Sequence, residues 1–299
     1  MNKPNQSTKI SITIPTLWTK PLLIEQCLQS LEKLIVPHNV RIQIVIVSNT
    51  SQKDMSENLA KIHVPESLPL MWIAQGRNTG FAAATNAGFK AISADFYLCL
   101  NDDTQVDPNW LIELLAAQKK SGADMVASRI FLADGKSLDS EGFTFAWRGK
   151  AEALRNRKSS LNDFEDHWLK NQDLLPLSRA DYWQEPFGPD AAACLYTHKL
   201  IDTVGMFDES FFAYLEDVDL ALRARLTGMK CVLAEKAVVY HHKHATSSTM
   251  SSFKAKQDFK NWWRIMVKYP EKVWEVWWWQ ILVERARNLS GYCKQLVGR

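Results

Sequence analysis

A short apolar run in the first half of the chain ends in a cluster of oxygen-bearing side chains. Phe96–Leu100 is β-prone and short enough to be a buried strand, and Asn101, Asp102 and Asp103 follow it directly. Crowded carboxylates resist ionising unless a cation lies between them, and oxygen ligands suit a hard ion such as Mg²⁺ or Mn²⁺. The pattern predicts a divalent-metal site at the carboxyl edge of a sheet, where open α/β sheets bind their ligands.

Two residues just beyond this cluster also fit a purely structural interpretation. Asp107 and Pro108 precede a stretch with helical spacing over 109–120. An acid followed by a proline is typical of a helix N-terminus. The two interpretations are compatible, so we predict that Asp107 caps the helix while the preceding cluster forms the site.

A second acidic pair, Glu216 and Asp217, follows an aromatic run and opens a predicted helix over 216–227. A positioned carboxylate can take the proton from a hydroxyl nucleophile, which makes Asp217 a candidate general base. The alternative is a charge at a helix N-terminus, which the helix dipole favours. Asp219 is assigned a structural role, pairing with Arg223 one turn later.

Three closely spaced histidines, His241, His242 and His244, follow a predicted strand. A zinc site is not expected, because this spacing does not place all three rings on one ion and no cysteine lies nearby. A lone histidine is more often a hydrogen-bonded polar residue than a ligand. The residues alone therefore leave the role of this cluster open.

Alternating strand and helix signals must position these clusters. Strands are predicted at 10–14, 41–47, 70–74, 96–100, 125–130, 191–197, 230–233 and 237–240. Helices are predicted at 21–34, from the end of the polar turn SNTSQKD to about 62, and at 79–93, 109–120, 198–204 and 216–227. Repeated βα units of this length imply an α/β fold, a doubly wound and mostly parallel sheet with right-handed crossovers.

The alternation breaks between residues 131 and 184. Hairpin signals in ADGKSLD and EGFTFAWRGK are followed by a charged, weakly patterned segment. A long irregular insertion is usually functional, and this one could cover a substrate; for 155–175 a solvated excursion without a role is the alternative. We predict one catalytic domain over 1–250, containing this insertion, and a helical tail over 251–299.

The bulk composition is that of an ordinary globular protein, with 299 residues, 46% hydrophobic and 23% charged. The five cysteines are scattered and form no CxxC pair, which favours reduced thiols in the cytoplasm. The polar start MNKPNQSTK predicts no signal peptide, and no apolar stretch reaches the roughly 20 residues that a spanning helix needs.

The tail differs in composition from the rest of the chain. Residues 252–299 hold ten Lys or Arg against four Asp or Glu, and six of the 12 Trp. Trp274, Trp277, Trp278 and Ile281 share one helical face with basic flanks, as in a helix lying in a membrane headgroup layer. The alternative is a helical pair packed on the catalytic domain or in a dimer contact.

Five stretches taken together resemble the inverting glycosyltransferases of family 2, which have the GT-A fold. They are ITIPT, IVIVSNTS, RNTGFAAATNAG, LNDDTQV and VGMFDESFFAYLEDVDLALRARLTG. The third and fifth are the specific signals, and the match spans roughly residues 10–248. Within the family, the stretches are most similar to the rhamnosyltransferase-like group that builds bacterial surface polysaccharides.

The resemblance implies a role for each matching residue. Asp217 would be the catalytic base, and Asp103 and His241 would hold a Mg²⁺ or Mn²⁺ ion, with His242 as the alternative ligand. Ser48 stands where the family has Asp, so Asn49 would read the base with different donors. The implied donor-binding residues are Pro15, Thr16, Asn49, Arg77, Asn78, Gly80, Asn86, Asn101, Asp102 and Glu216. Asn86 could instead hold its loop.

The implied activity is a metal-dependent, inverting hexosyl transfer. The donor would be a dTDP- or UDP-linked sugar, with dTDP-L-rhamnose as the best candidate, and the acceptor a glycan or lipid-linked glycan of the cell surface. A single displacement needs one base and no covalent nucleophile, so the configuration inverts. The expected location is cytoplasmic, peripheral to the inner face of the plasma membrane, with no nucleic-acid partner and no prediction of oligomeric state.

Two other functions remain as alternatives. A sugar nucleotidyltransferase uses a similar sheet and acidic site, but it relies on a glycine-rich phosphate loop, and ITIPTLWTK contains no glycine. A non-catalytic scaffold could bind a sugar nucleotide or a membrane without turnover. The retention of Asp103, Asp217 and His241 argues against the scaffold.

Overall fold

The computed structural model describes residues 7–146, 150–154, 186–242, 244–270 and 278–297. The strands are β1 Thr8–Thr16, β2 Val40–Ser48, β3 Leu70–Ala74, β4 Phe96–Leu100, β5 Thr104–Val106, β6 Met125–Leu132, β7 Leu138–Ser140, β8 Phe143–Ala146, β9 Lys150–Ala153, β10 Ala193–Thr197 and β11 Cys231–His241. The helices are α1 Pro21–Glu32, α2 Gln52–Leu59, α3 Phe81–Ala91, α4 Trp110–Ser121, α5 His198–Val204, α6 Glu216–Leu226, α7 His244–Lys268 and α8 Trp278–Val297.

One large sheet has the strand order β3-β2-β1-β4-β10-β6-β11-β5, and β7 pairs with β6. Strands β1 to β4 are parallel to one another, and β6 is parallel to β11. β10 runs antiparallel between β4 and β6, and β5 runs antiparallel beside β11. The predicted α/β architecture is confirmed, with two parallel blocks joined by an antiparallel strand.

Helices cover both faces of this sheet. Apolar residues of α1 and α4 form one buried layer with the strands, while α3, α5, α6 and α7 contribute to the layer on the other face. Small residues let α3 approach closely, since a Cβ at Gly88 would lie 2.3 Å from the Thr13 side chain. The Ala-rich sequence of this helix therefore reflects its contact with the sheet.

Two features of the carboxy-terminal half differ from the sequence prediction. The expected strands at 230–233 and 237–240 are one strand, β11, whose pairing with β6 shifts register between Ala234 and Val238. The three-residue strand β5 was not predicted at all. The hairpin signals are confirmed by the β8–β9 pair, whereas the segment 155–175 lies outside the described residues.

The predicted tail packs against the body of the protein where the structure describes it. Helix α7 begins before the expected boundary at 250, and Trp262 and Ile265 lie in the same buried cluster as residues of α3 and α6. Ile281 is also buried, contrary to its expected place on an exposed face, while Trp274 and Trp277 lie outside the described residues. None of the described helices is long and apolar enough to span a bilayer.

Candidate active site

Strand ends from distant parts of the chain meet at one edge of the sheet. β1 ends there with Thr16, and β4 ends immediately before Asn101. β10 begins there because it runs antiparallel to β4, and the Asn101 N–H donates to the Ala192 carbonyl at 2.9 Å. β11 brings His241 to the same edge.

The short strand β5 places His241 beside Asp103. His241 lies opposite Thr104 in the β5–β11 pairing, so its ring reaches the residue just before that strand. Its Nε2 lies 3.1 Å from Asp103 Oδ1, and its Nδ1 lies 3.1 Å from Asp139 Oδ2. The neighbouring His242 ring instead lies 3.2 Å from the Gln105 amide, so His241 is the histidine that faces Asp103.

The His241 imidazole carries a proton in this arrangement. Burial lowers its pKa, but the hydrogen bonds to Asp103 and Asp139 outweigh that effect and raise the pKa to about 9. A metal-ligating imidazole must be neutral at its ligating nitrogen, so a cation at Asp103 would displace the proton on Nε2. Asp139 on Nδ1 is the kind of partner that orients a metal-bound histidine.

The donor set fits a cation that is held jointly with substrate. Among the described residues, no group of three or more His, Cys, Asp or Glu could hold a metal ion by itself. Mg²⁺ is usually bound by one or two carboxylates together with substrate phosphates and water. Asp103 and His241 leave such positions open, which suits a diphosphate ligand better than a closed structural metal site.

Asp102 is tied to the end of β1. The Thr16 hydroxyl donates to Asp102 Oδ2 at 2.6 Å, and Thr16 in turn accepts the Trp18 N–H at 3.0 Å. Burial and the adjacent Asp103 raise the pKa of Asp102 to about 7, although the Thr16 hydrogen bond acts in the opposite direction. This is the mutual repulsion of crowded carboxylates that the sequence predicts.

Asp217 lies in the first turn of α6 and is partly buried. Its Oδ1 accepts the Val218 N–H at 2.8 Å, and its Oδ2 accepts the Ala191 N–H at 3.4 Å. Burial of the carboxyl group and the charge of Asp190 raise the pKa of Asp217 to about 7. A carboxylate that titrates near neutral pH suits general-base chemistry.

Glu216 is the more buried member of the pair. Its Oε2 has no hydrogen-bond partner among the described residues. Burial and the neighbouring Asp217 raise the pKa of Glu216 well above the usual value. Both effects favour the protonated form of this carboxyl group.

A strained loop leads into this acidic pair. Phe212, Tyr214 and Leu215 all have left-handed backbone conformations, with φ of 64°, 68° and 67°. Each such residue costs about 1–3 kcal/mol and is typical of functional sites. Gly80 packs directly on the loop, since a Cβ added there would lie 2.4 Å from the Phe212 carbonyl oxygen. The two specific sequence signals are thus in contact.

Two predicted donor-binding residues have their amides engaged by the protein. Asn49 is buried; its Nδ2 donates to the Gly80 carbonyl at 3.2 Å, and its Oδ1 accepts the Thr79 hydroxyl at 2.8 Å. Asn86 is also buried, bonded to both the carbonyl and the N–H of Phe207 at 2.8 and 3.0 Å. Both residues hold loops, which for Asn86 is the alternative that the sequence left open.

The remaining donor-side residues lie around this edge. Arg77 and Asn78 line a cavity of about 540 Å³ beside α3. Ser48, which replaces the Asp of the resembled family, is buried and accepts the Trp18 Nε1–H at 2.8 Å. The Ser48 hydroxyl also lies 2.7 Å from the Thr50 hydroxyl, so both of its hydrogen-bond partners are protein groups.

Sequence reasoning missed two carboxylates at this edge. Asp139 contacts His241, yet it lies in a short strand whose sequence gave no signal for it. Asp190 acts electrostatically on both Asp217 and His241, so its charge influences the base candidate and one of the metal candidates. Asp190 precedes the strand predicted at 191–197, whereas the predicted acids follow a strand or an aromatic run, so the same pattern did not identify it.

Of the two structural roles predicted for other acids, one is wrong in position and one is confirmed. Helix α4 has Asn109 as its N-cap, so Asp107 is not the cap; its Oδ1 accepts the Asn109 N–H at 2.8 Å in the turn just before the helix. Asp219 accepts the Arg223 Nε–H at 2.9 Å, the predicted pair one helical turn apart.

Comparison with known proteins gives one family and several distant relatives. The profile described as Glycosyl transferase family 2 matches residues 11–170. The chain is 24% identical over 245 residues to the O-antigen biosynthesis protein RfbC of Myxococcus xanthus, covering 80% of this chain and 18% of that protein. It is 20% identical over 228 residues to the low-salt glycan biosynthesis hexosyltransferase Agl10 of Haloferax volcanii, covering 73% of this chain and 65% of that protein.

Solved structures support the fold at low sequence identity. The mannosyltransferase PcManGT from Pyrobaculum calidifontis, in complex with GDP-Man and Mn²⁺, superposes with a TM-score of 0.57 at 13% identity, covering 86% of this chain and 65% of that one. The structure of S. aureus TarS 1-349 in complex with UDP-GlcNAc superposes with a TM-score of 0.54 at 17% identity, covering 85% of this chain and 65% of that one. These similarities confirm the predicted GT-A-type fold. The chain spans less than two thirds of the length of the curated relatives named above.

Proposed function

Because this chain belongs to glycosyl transferase family 2, we propose that it transfers a sugar from a nucleotide diphosphate donor to a glycan acceptor, with inversion and with a divalent cation. The observation that carries the proposal is the meeting of Asp103 and His241 at 3.1 Å, at the sheet edge where α6 presents Asp217. A nucleotidyltransferase lacks support, because no glycine-rich loop follows β1.

Asp103 and His241 are proposed to hold the cation, Mg²⁺ or Mn²⁺. When bound, it would neutralise the charge that develops on the departing diphosphate. Asp139 would fix the His241 ring through Nδ1, and Asp102, tied to Thr16, would border the ribose or sugar. Glu216, whose Oε2 has no hydrogen-bond partner among the described residues, would contact the sugar donor.

Asp217 is proposed as the base that takes the proton from the acceptor hydroxyl. The backbone N–H groups of Val218 and Ala191 hold its two carboxylate oxygens, so the side chain needs little reorganisation before reaction. A positioned base of this kind contributes typically 10²–10⁴-fold, or about 3–5 kcal/mol of the barrier. One base without a covalent nucleophile gives inversion.

The donor is proposed to be dTDP- or UDP-linked, with dTDP-L-rhamnose as the first candidate, and the acceptor a glycan or lipid-linked glycan of the cell surface. The rhamnosyltransferase-like motifs and the relative named for O-antigen biosynthesis support this choice. Arg77 and Asn78 are proposed to approach base and ribose, while Asn49, Gly80 and Asn86 hold the loops around them.

A panel of nucleotide sugars tests the activity directly. We expect metal-dependent release of the free nucleotide diphosphate from one donor, abolished by EDTA and restored by Mn²⁺ or Mg²⁺, because the diphosphate needs charge neutralisation to leave. Release of pyrophosphate from a sugar phosphate and a nucleoside triphosphate would instead identify a nucleotidyltransferase. Binding of nucleotide sugars without turnover, with every acceptor supplied, would favour the scaffold.

The carboxy-terminal helices are proposed to associate with an anionic membrane surface. Both carboxy-terminal helices, α7 and α8, have large apolar side chains exposed to solvent. These are Trp263 and Val267 on α7, and Trp279, Leu282, Val283 and Leu289 on α8. Residues 252–299 carry a net charge of +6, from ten basic and four acidic residues. Exposed Trp and Leu beside excess Lys and Arg suit a headgroup layer.

Vesicle binding tests this surface. Replacing Trp279 and Leu282 with serine should lower co-sedimentation with phosphatidylglycerol vesicles several-fold, because both side chains are about half exposed, at 52% and 50%. Leu22→Ser on α1 is the matched control, since Leu22 is 66% exposed and far from the basic tail in sequence. Equal co-sedimentation of the double variant and the control would remove the membrane role.

A further inference from the structure

The loop that carries the acidic pair is held from outside its own segment. Asn261 of α7 is fully buried, and its Nδ2 lies 3.0, 2.9 and 2.7 Å from the carbonyl oxygens of Phe211, Ala213 and Tyr214. One side-chain amide thus contacts the backbone along most of the left-handed turn that precedes Glu216. No other described side chain makes hydrogen bonds to these three carbonyls.

The orientation of this amide is set by a second contact. Arg264, one turn along α7, donates from Nη1 to Asn261 Oδ1 at 3.1 Å. Because the oxygen is taken by a cation, the NH₂ group is the end that faces the carbonyls. A carboxylate at this position would keep the Arg264 contact but would point a second oxygen at the carbonyl oxygens.

A second attachment lies just beyond the base candidate. Lys268, near the end of α7, places its Nζ 2.7 Å from Asp219 Oδ1 and 2.9 Å from Asp208 Oδ2. Asp219 is fully buried and follows Asp217 by two residues in α6. Helix α7 therefore makes polar contacts with the chain both before and after Asp217.

We propose that Asn261 is a positioning residue that holds the strained 212–215 loop and thereby sets the place of Asp217, which makes α7 part of the catalytic unit and not an appended tail. This inference adds a positioning residue to the proposed glycosyl transfer, and only its kinetic test depends on that proposed function. Without the amide, the left-handed residues lose the contacts that over-determine them, and the loop relaxes. The carboxylate at its end then moves away from the acceptor hydroxyl.

Hydrogen exchange tests the positioning without reference to activity. In Asn261→Ala and Asn261→Asp, the amides of residues 212–218 should exchange at least tenfold faster than in the wild type, while the strands β1, β2 and β4 are unchanged. Ile265→Val, which trims a buried side chain one turn further along α7, is the control and should leave this segment protected. Unchanged exchange of 212–218 in both Asn261 variants would overturn the proposal.

The wild-type chain provides a test that does not depend on the folding of variants. In native-state exchange at low urea, residues 212–218 should open in the same step as residues 257–265 of α7. Opening of the loop at lower urea than α7 would show that the helix does not hold it, and would contradict the proposal.

Kinetics supply the readout that distinguishes positioning from general destabilisation. Per nucleotide-binding site, counted by calorimetry with UDP and Mn²⁺, Asn261→Ala should lower kcat on the order of 10- to 100-fold with the donor KM unchanged. Asn261→Gln, which keeps the NH₂ group, should recover part of that loss. Equal kcat per site in wild type and Asn261→Ala would contradict the proposal, whereas a wild type without transfer activity would contradict the proposed function alone.

Discussion

Replacing Asp217 with asparagine is expected to lower the rate of glycosyl transfer at least a hundredfold while leaving donor binding nearly intact. The amide keeps the shape of the side chain, and its single oxygen can still accept the Val218 N–H, although the longer Ala191 contact is lost; it cannot take a proton from the acceptor. A positioned base contributes typically 10²–10⁴-fold, so its loss should dominate the effect. Turnover and donor affinity, measured on the same preparation, check this directly.

The pH dependence gives a second signature of the same group. Burial and Asp190 raise the pKa of Asp217 to about 7, so the wild-type rate should rise with pH through about 7 as the carboxyl group loses its proton. Asp190→Asn should lower the pKa of Asp217, because it removes a nearby negative charge, and the rise in rate should therefore occur at lower pH. The titratable groups near Asp217 also include Glu216, which shares its turn, and Lys254 of α7, whose positive charge lowers the pKa of Asp217.

Stability separates this loss from unfolding. A carboxyl group whose folded-state pKa is raised contributes stability below its unfolded pKa, and that contribution disappears as pH rises through the folded value. At pH 8 the Asp217→Asn variant should therefore be no less stable than the wild type. Asp54→Asn, in the first turn of α2, is the matched control and should retain full turnover. Near-normal turnover of Asp217→Asn would remove Asp217 from the base role.

Replacing Asp103 with alanine is expected to abolish the cation-dependent part of nucleotide binding. The site offers one carboxylate and one imidazole, so removal of Asp103 leaves a single protein ligand. Calorimetry with UDP, with and without Mn²⁺, should show that the variant gains no affinity from the metal. His241→Ala should also reduce the affinity gained from the metal. Asp139→Asn should weaken metal affinity less, by roughly 10–100-fold, because Asp139 only orients the His241 ligand.

Asp107→Asn is the control for this experiment, because Asp107 lies four residues beyond Asp103 and accepts a hydrogen bond in the turn before α4. Its response to Mn²⁺ should match that of the wild type. If Asp103→Ala and His241→Ala both retain the full metal-dependent gain in affinity, the cation is held elsewhere. In that case the proposed metal site fails, although the family assignment stands.

The architecture and the main acidic clusters could be predicted because they depend on local patterns. The strand Phe96–Leu100 is apolar and short, and acidic residues follow it directly. In a parallel sheet this position is the edge where the carboxyl ends of neighbouring strands meet. The contact between Asp103 and His241 depends on β5, a strand of three residues, Thr104–Val106. So short a strand lacks a periodicity that sequence reasoning could detect.

The roles of individual polar residues were harder to predict. Asn49 and Asn86 have the residue type and position of ligand-binding groups, but burial turns their amides toward backbone atoms of distant segments. Asn261 has no signal in the sequence, since its three acceptors lie 47 to 50 residues earlier. Side-chain hydrogen bonds across such separations follow from tertiary packing and have no local pattern.

The central position of β10 affects the order in which the protein can form. This strand pairs with β4 and β6, yet it is synthesised after both, and β6 begins almost seventy residues before it, at Met125, with β10 starting at Ala193. Until β10 emerges from the ribosome, β4 and β6 each have a backbone edge without its partner. The first parallel block, β1 to β4, can assemble early from local units, whereas the half that contains His241 must wait for a long-range closure, which is intrinsically slow.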